Sequence, residues 1–185
     1  MESLSTLTRY LVGTIVTNPV TLGSMAANSR LTIAVHALAW LALAERQGRD
    51  RLTSDQVAAS VNTNPVIIRR SLGDLRRAGL VRVRRGAEAG WSLAHRPDDI
   101  TVLAVYDAVT PEPLFAMHHT EPNLQCPVGR GIQPALHGLY RGAEQSLREH
   151  LATMSIADVL RDTLRRDGTE TAESPGRPAS CRDPF

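Results

Sequence analysis

The chain has 185 residues, 42% of them hydrophobic, and a formal net charge of +2, so it is long enough for one packed domain with extensions. Its two cysteines, Cys126 and Cys181, are too few for a disulfide framework or a four-cysteine zinc site, which fits a reducing cytosolic compartment. No apolar run reaches the roughly 18 residues of a membrane helix, and residues 11–16 lack the basic region of a signal peptide.

The first 27 residues are rich in Thr, Ser, Gly and other small residues, a composition typical of a loosely ordered extension. Met25 directly precedes the first strongly patterned segment. One hypothesis is that translation starts at Met25; a native peptide containing residues 1–24 would exclude it.

The strong pattern begins with a helix predicted from Asn28 to about Gln47 and ended by Gly48. Its apolar residues recur on one face at helical spacing: Leu31, Val35, Leu38 and Ala42. A second helix is predicted over residues 54–60, since Thr53 and Gln56 have the spacing of a capping box.

The third helix has a clear start. Asn64 is a good N-cap, and Pro65 suits the first helical position, where its missing N–H costs nothing. The helix is predicted to end near Ala78, before Gly79. Its inward stripe consists of Ile68, Leu72 and Leu75. The outward set consists of Val66, Arg69, Arg70, Gly73, Arg76 and Arg77.

After Gly79 the apolar period changes from helical spacing to two. Val81 and Val83 alternate with Arg82 and Arg84, and Trp91 follows a turn over residues 86–90, which predicts a two-stranded hairpin. A helix over about 100–109 and a proline-rich loop over 110–127 come next.

A long helix is predicted from near Gly129, and about 24 residues of it keep one apolar face. That face consists of Ile132, Leu136, Leu139, Ala143, Leu147 and Leu151. Because so long an apolar face needs a partner, we expect the same helix of a second subunit to cover it. A last helix is predicted over residues 155–166.

The basic residues are concentrated in residues 62–85, which contain seven of the 21 arginines and only one acid, Asp74. Helix, turn, helix and basic hairpin in this order predict a mainly α fold, a winged helix-turn-helix head with a two-stranded wing and a long C-terminal dimerisation helix.

In such a head the third helix enters the major groove of double-stranded DNA with its N-terminal end first. The predicted base contacts are Asn64, Pro65, Val66, Arg69 and Arg70, because Asn can bind adenine and Arg guanine bidentately, while Val and Pro can meet a thymine methyl. The predicted phosphate and wing contacts are Arg76, Arg77, Arg82, Arg84 and Arg85.

The domain organisation follows from these elements. The predicted segments are an extension at 1–27, a winged-helix head at 28–96, a linking helix and loop at 97–127, dimerisation helices at 128–166 and a disordered tail at 167–185.

Three alternatives remain open. The basic helix face can be merely solvated, or it can bind an acidic protein. A regulator can also hold a small molecule near residues 106–126. An enzyme is not expected, since the chain has no Gly-rich phosphate loop, nucleophile elbow or paired histidines on one helical face.

Residues 28–160 resemble the Rrf2 family of bacterial winged-helix transcription regulators. The resemblance rests on five short motifs: Asn28-Ser-Arg-Leu31, Leu75-Arg-Arg-Ala-Gly-Leu-Val81, Arg85-Gly86, Asp98-Asp-Ile-Thr101 and Cys126-Pro-Val-Gly129. It implies a homodimer with crossing long helices and two heads on a palindromic operator, in most cases a repressor.

The chain departs from the family in two ways. Glu88 at the wing tip would repel phosphate, which argues against deep insertion into the minor groove. The members that bind an iron–sulfur cluster carry three closely spaced cysteines before the long helix, whereas this chain has only Cys126 there, so we expect no cofactor.

Cys126 is the candidate sensor, because a helix N-terminus lowers the pKa of a thiol and favours the reactive thiolate. The alternative is a half-buried thiol that packs the loop. His118 and His119 could be a metal site with Cys126, but adjacent residues rarely bind one ion together, so no metal is expected.

Overall fold

The computed structural model describes residues 26–86, 89–110 and 113–168, with no side chains described for 26–28. The hypothetical start at Met25, the acidic wing tip at Glu88 and the tail cysteine Cys181 lie outside these residues. In the described part of the chain no helix is long and apolar enough to cross a membrane.

The described residues form six α-helices and one two-stranded sheet, with a short 3₁₀ helix at Pro97–Asp99. In chain order the elements are α1 (Ala26–Arg46), α2 (Ser54–Val61), α3 (Pro65–Arg77), β1 (Val81–Arg84), β2 (Gly90–Leu93), α4 (Val102–Val109), α5 (Pro127–Ala152) and α6 (Ile156–Arg166). Each predicted helix and strand is present, with ends within about two residues of those expected.

Helix α1 is the centre of the core and contacts α2, α3, α4, α6 and β2. The predicted apolar face of α1 included too few of the residues that are buried. Leu38 is buried as expected, but Ala34 and Leu41 are buried too, whereas Leu31 and Val35 are only half-buried. A helix surrounded on several sides buries more than one stripe, and its alanines let the neighbouring helices approach closely.

The predicted capping box of α2 is confirmed. The backbone N–H of Gln56 donates to the Thr53 hydroxyl at 3.2 Å, and the Thr53 N–H donates to the Gln56 side chain at 2.9 Å. Asn62 follows α2 in the left-handed conformation, with φ of 56°, and turns the chain into α3.

The wing is more firmly fixed than a hairpin alone. Val83 pairs with Trp91 across the antiparallel strands. Leu52 then bridges Trp91 on its other side, with N···O distances of 3.0 and 2.8 Å, a contact that the sequence pattern did not predict. The Trp91 indole N–H also donates to Ser54 at 3.0 Å, so the wing is tied to the start of α2.

Helix α6, which was assigned to the dimerisation helices, packs against the head of its own chain. Its Ile156 and Leu160 are buried in the same core as α1. Backbone hydrogen bonds between Ile156 and Ile100, at 2.9 Å, and between Val102 and Met154, at 2.8 Å, hold the start of α6 against the start of α4. The buried residues of α6 therefore belong to the core of the head, and its part in dimerisation stays a prediction.

Helix α5 has 26 residues, about 39 Å at 1.5 Å per residue, and none of them is buried. It packs against α4, where the Arg148 guanidinium donates to both oxygens of Asp107 at 2.7 and 3.0 Å. Gly129 permits a close approach at its first turn, since a Cβ there would lie 2.1 Å from the Asn123 carbonyl oxygen.

Candidate nucleic-acid interface

Helix α3 starts at a well-formed cap. Asn64 is the N-cap residue, and its side-chain Oδ1 accepts the backbone N–H of Val66 at 2.8 Å, while Pro65 occupies the first helical position. The N–H groups of Ile67 and Ile68 both donate to the Asn64 carbonyl oxygen, at 2.9 and 3.4 Å, so the backbone donors of the first turn are engaged. The helix dipole still gives this end a partial positive charge, which favours anions.

One side of α3 faces the core and the opposite side is open. Ile68, Leu72 and Leu75 have no exposed surface, as the inward stripe predicted. The residues centred on the opposite side are spaced by three or four along the helix, so they form one line. This outward line consists of Val66, Arg70, Gly73 and Arg77.

Two further pairs flank the outward line, with Arg69 and Arg76 on one side and Ile67 and Asp74 on the other. Val66 is 58% exposed and Ile67 is 46% exposed. Ile67 was not among the predicted contacts. The available signal was its position, one residue before the buried Ile68 and so about 100° away from the inward stripe.

The predicted arginine contacts fall into two groups. The first is exposed and makes no ion pair with any residue that the structure describes: Arg69, Arg70, Arg76 and Arg85. In the second group, Arg77 is paired with Asp74, and Arg82 donates to the Ala94 carbonyl at 2.6 Å. Arg84 lies beside Arg82 on the same strand face and also has an interaction within the chain.

Both side-chain acceptors at the exposed surface of α3 are engaged. The oxygen of Asn64 serves the cap, and the carboxylate of Asp74 is paired with Arg77. The bidentate adenine contact expected of Asn64 would therefore have to share the oxygen that caps the helix, although its amide N–H groups can still donate. The open groups of α3 are guanidinium donors and apolar side chains.

The apolar stripe of α5 is only partly covered by the residues that the structure describes. Leu139 is 64% exposed and Ile132 is 37% exposed. The exposed Ala143 belongs to the same stripe, whose remaining members, Leu136, Leu147 and Leu151, are half-buried. A helix of this length with its apolar residues in solvent has the form of half an interface.

A groove of about 450 Å³ lies between residues 116–122 and α5. Its lining includes Met117, Tyr140, Ile132 and Leu136. The alternative in which a regulator holds a small molecule near residues 106–126 would use this space. Two of its lining residues belong to the stripe expected to meet a second subunit, so ligand binding and dimerisation would compete for them.

Cys126 occupies the N-cap position of α5, directly before Pro127, and its thiol is exposed. It makes no side-chain capping hydrogen bond. The alternative role, packing the loop onto the dimerisation helix, would therefore need contacts beyond the described residues of one chain.

The histidines are held locally. The Thr120 hydroxyl lies 2.8 Å from His118 Nδ1, within the loop, and His119 is exposed. On α1, His36 Nε2 lies 3.0 Å from the Ser60 hydroxyl of α2, and partial burial lowers the pKa of His36. In residues 26–86, 89–110 and 113–168, no three His, Cys, Asp or Glu side chains come together as metal ligands.

Comparison with known proteins gives one family. Residues 27–162 match the model of Rrf2, described as an iron-dependent transcriptional regulator. YwnA of Bacillus subtilis, a candidate HTH-type transcriptional regulator, is 40% identical over 134 residues, which is 72% of this chain and 96% of YwnA. The HTH-type transcriptional regulator IscR of Cereibacter sphaeroides is 27% identical over 132 residues, 71% of this chain and 84% of IscR.

A solved structure of a candidate DNA-binding protein has the same fold. It is 35% identical, covers 71% of this chain and 98% of its own, and superposes with a TM-score of 0.56. The architecture is therefore that of a winged-helix regulator: a head formed by α1, α2, α3 and the wing, completed by α4 and α6, with α5 extending from it.

The described residues do not fit a resident iron–sulfur cluster. Such clusters are held mainly by several cysteine thiolates. Cys126 is the one cysteine in the described residues, and no group of three potential metal-ligating side chains occurs among them. The donor set beside α5 is too small for that chemistry.

Proposed function

The chain belongs to the Rrf2 family of transcriptional regulators, and we propose that it binds double-stranded DNA as a homodimer, with α3 in the major groove and the wing beside it. The observation that carries this proposal is the open line on α3. Val66 and Arg70 lie one helical turn apart at a capped helix start and face away from the core.

Two kinds of contact divide between the arginines. Arg69 and Arg70 are near the helix start, where side chains reach base edges, and a guanidinium matches guanine O6 and N7. Arg76, Arg77, Arg84 and Arg85 lie farther along and meet phosphates, which fix register without reading sequence. Arg82 is assigned to holding the wing, because its guanidinium donates to Ala94.

The engaged acceptors favour a particular operator chemistry. With Asn64 and Asp74 engaged inside the chain, α3 offers donors and apolar groups. Donors select guanine, and apolar groups select the thymine methyl, whereas cytosine and adenine amino groups need acceptors. We expect half-sites in which α3 meets guanines and thymines on one strand or the other.

The proposal of a second subunit rests on the exposed apolar stripe of α5. The described residues leave Leu139 and Ile132 exposed, and covering them with the same helix of a second copy removes that apolar surface from water. A two-fold dimer presents two α3 helices, so its operator is a palindrome with half-sites one helical turn apart or a multiple of it.

The regulator acts in the cytoplasm without a resident cluster, and repression is its proposed effect, since a protein that covers promoter DNA excludes polymerase. The exposed thiol at the start of α5 favours a redox signal as a second component. In that step peroxide oxidises the Cys126 thiol to a sulfenic acid and releases water.

The redox component is tested by the Cys126→Ser variant. Wild type should lose or gain DNA affinity after peroxide and recover with a thiol reductant, while Cys126→Ser should stay unchanged. Identical responses of the two proteins would remove Cys126 as the sensor and leave DNA binding intact.

The DNA-binding proposal is tested by selecting sites from a random duplex library with purified reduced protein. The expected result is an enriched palindrome. Retention of all duplexes with equal, salt-sensitive affinity would indicate a basic surface without sequence preference. No retention would instead favour the alternative in which this face binds an acidic protein.

A further inference from the structure

Gly73 is the one glycine inside α3, and the fold gives no reason for it. A Cβ built at this position meets no atom of the described residues within 4 Å. Its φ is also in the ordinary range, so any L-residue can adopt its backbone conformation. Within a helix, glycine is less favourable than alanine because it loses more conformational freedom on folding.

Other glycines of the head have visible structural reasons. Gly79 ends α3 with φ of 78°, which strains residues that have a side chain. A Cβ at Gly90 would lie 2.8 Å from the Arg51 Cβ, where the wing passes the segment before α2. Gly73 shares neither feature, so no contact or backbone strain in the described residues requires glycine at this position.

The position of Gly73 indicates what a glycine can do there. It lies on the outward line of α3, three residues after Arg70 and four before Arg77. The missing side chain leaves a partly open notch over the helix backbone, where Gly73 is half-exposed. Arg70 makes no ion pair with a described residue and attracts a polyanion to that notch, whereas the charge of Arg77 is partly balanced by Asp74.

We propose that Gly73 is the point at which the backbone of α3 comes closest to the sugar–phosphate wall of the DNA groove. The proposal rests on the proposed function of α3 as the major-groove helix. Without a Cβ, the deoxyribose can contact the helix backbone directly, which lets Val66 and Arg70 reach deeper toward the base edges. A side chain at this position would hold the helix away from the groove floor.

The test separates stability from binding, because the two should change in opposite directions. Gly73→Ala and Gly73→Leu are compared with wild type for their thermal midpoint and for affinity to a selected duplex and to random DNA. Gly138→Ala is the matched control. Gly138 is also a mid-helix glycine with nothing near its Cβ, and it lies on the side of α5 away from the apolar stripe.

Gly73→Ala should raise the thermal midpoint by about 2–4 °C and weaken binding to the selected duplex by about tenfold. Gly73→Leu should weaken it further, and both should affect random DNA less, since only specific binding inserts α3 fully. Gly138→Ala should raise the midpoint and leave the affinity within about twofold.

Unchanged affinity of both Gly73 variants would overturn the inference while the proposed function stands. A lowered thermal midpoint would also overturn it, because the glycine would then serve the fold. Failure of wild type to select any duplex would refute the proposed function itself, and the inference with it. The wild-type measurement distinguishes that case from the other two.

Discussion

The side chain of Asn64 accepts the backbone N–H of Val66 at 2.8 Å and so closes the first turn of α3. The same residue stands at the end of the helix that we expect to enter the groove. The capping role of Asn64 can be separated from its effect on DNA binding, because Asn, Asp and Ser cap helices about equally well but differ in charge.

Asn64→Asp is therefore predicted to fold with a free energy of unfolding within about 0.5 kcal/mol of wild type. The added carboxylate should nevertheless weaken binding to every duplex, since it would face phosphates. Asn64→Ser keeps the cap without charge and should bind much more tightly than Asn64→Asp. Equal affinities for the two variants would mean that this end of α3 does not face DNA.

The exposed Val66 predicts a dependence on thymine methyl groups. Replacing half-site thymines by uracils removes only these methyls and should cost about 1 kcal/mol for each methyl that is contacted. In Val66→Ala the same replacement should have little further effect. Uracils outside the half-sites are the control, and an equal loss from those would contradict a contact with Val66.

The arginines of α3 should divide by position. Arg70→Ala should cost about 1–3 kcal/mol on the selected duplex and relax its base preference. Arg76→Ala should weaken binding to selected and random DNA alike. It should also reduce the slope of the logarithm of affinity against the logarithm of salt concentration by about one. Binding titrations at several salt concentrations measure both effects. Equal effects of the two variants on both duplexes would refute the groove assignment.

The α5 stripe predicts a charge-sensitive dimer. Leu139→Glu places a carboxylate at the 64% exposed centre of the stripe and should produce monomers without unfolding the head. Arg141→Glu introduces the same side chain on the opposite side of α5 and should stay dimeric. Sedimentation velocity measures both, and a dimeric Leu139→Glu protein with unchanged affinity would place the interface elsewhere.

The start of α6 predicts an acid-sensitive contribution to stability. Hydrogen bonds from the Ser155 hydroxyl and N–H, helped by Arg161, lower the pKa of Asp158 to about 2, from an ordinary value of 3.8. A lowered pKa stabilises the fold above the unfolded value, and that stabilisation is lost as the pH falls from about 4 to 2. Urea unfolding should show that Asp158→Asn has a lower free energy of unfolding at pH 7 and that this free energy changes less between pH 4 and pH 2 than in wild type. Parallel pH dependences of the two proteins would exclude this role of Asp158.

The helices and strands could be predicted from the sequence because local sequence signals mark where each of them begins or ends. Caps at Thr53 and Asn64, the stop at Gly79 and the change of period at Val81 all act within a few residues, and all are present in the structure. The apolar stripes likewise identified the buried side of α3. Such signals depend only on residues that are close in the chain, so they can be recognised in a single sequence without knowledge of the tertiary structure.

What the sequence missed depends on contacts between distant segments. The bridge from Leu52 to Trp91 is one residue long and has no period. The apolar side of α6 looks like that of α5, yet Ile156 is buried against α1 while Leu139 is exposed. The hydrogen bond from Arg82 to Ala94 was likewise unreadable, because alternation indicates the face of a strand and not what the guanidinium meets.

The most direct measurement of the central claim is methylation protection of guanine N7 on a selected duplex, since N7 lies in the major groove. With α3 of both subunits in the groove, wild type should protect guanines in two half-sites related by two-fold symmetry, and Arg70→Ala should lose that protection. Protection confined to minor-groove adenines, or identical patterns for wild type and Arg70→Ala, would contradict the account.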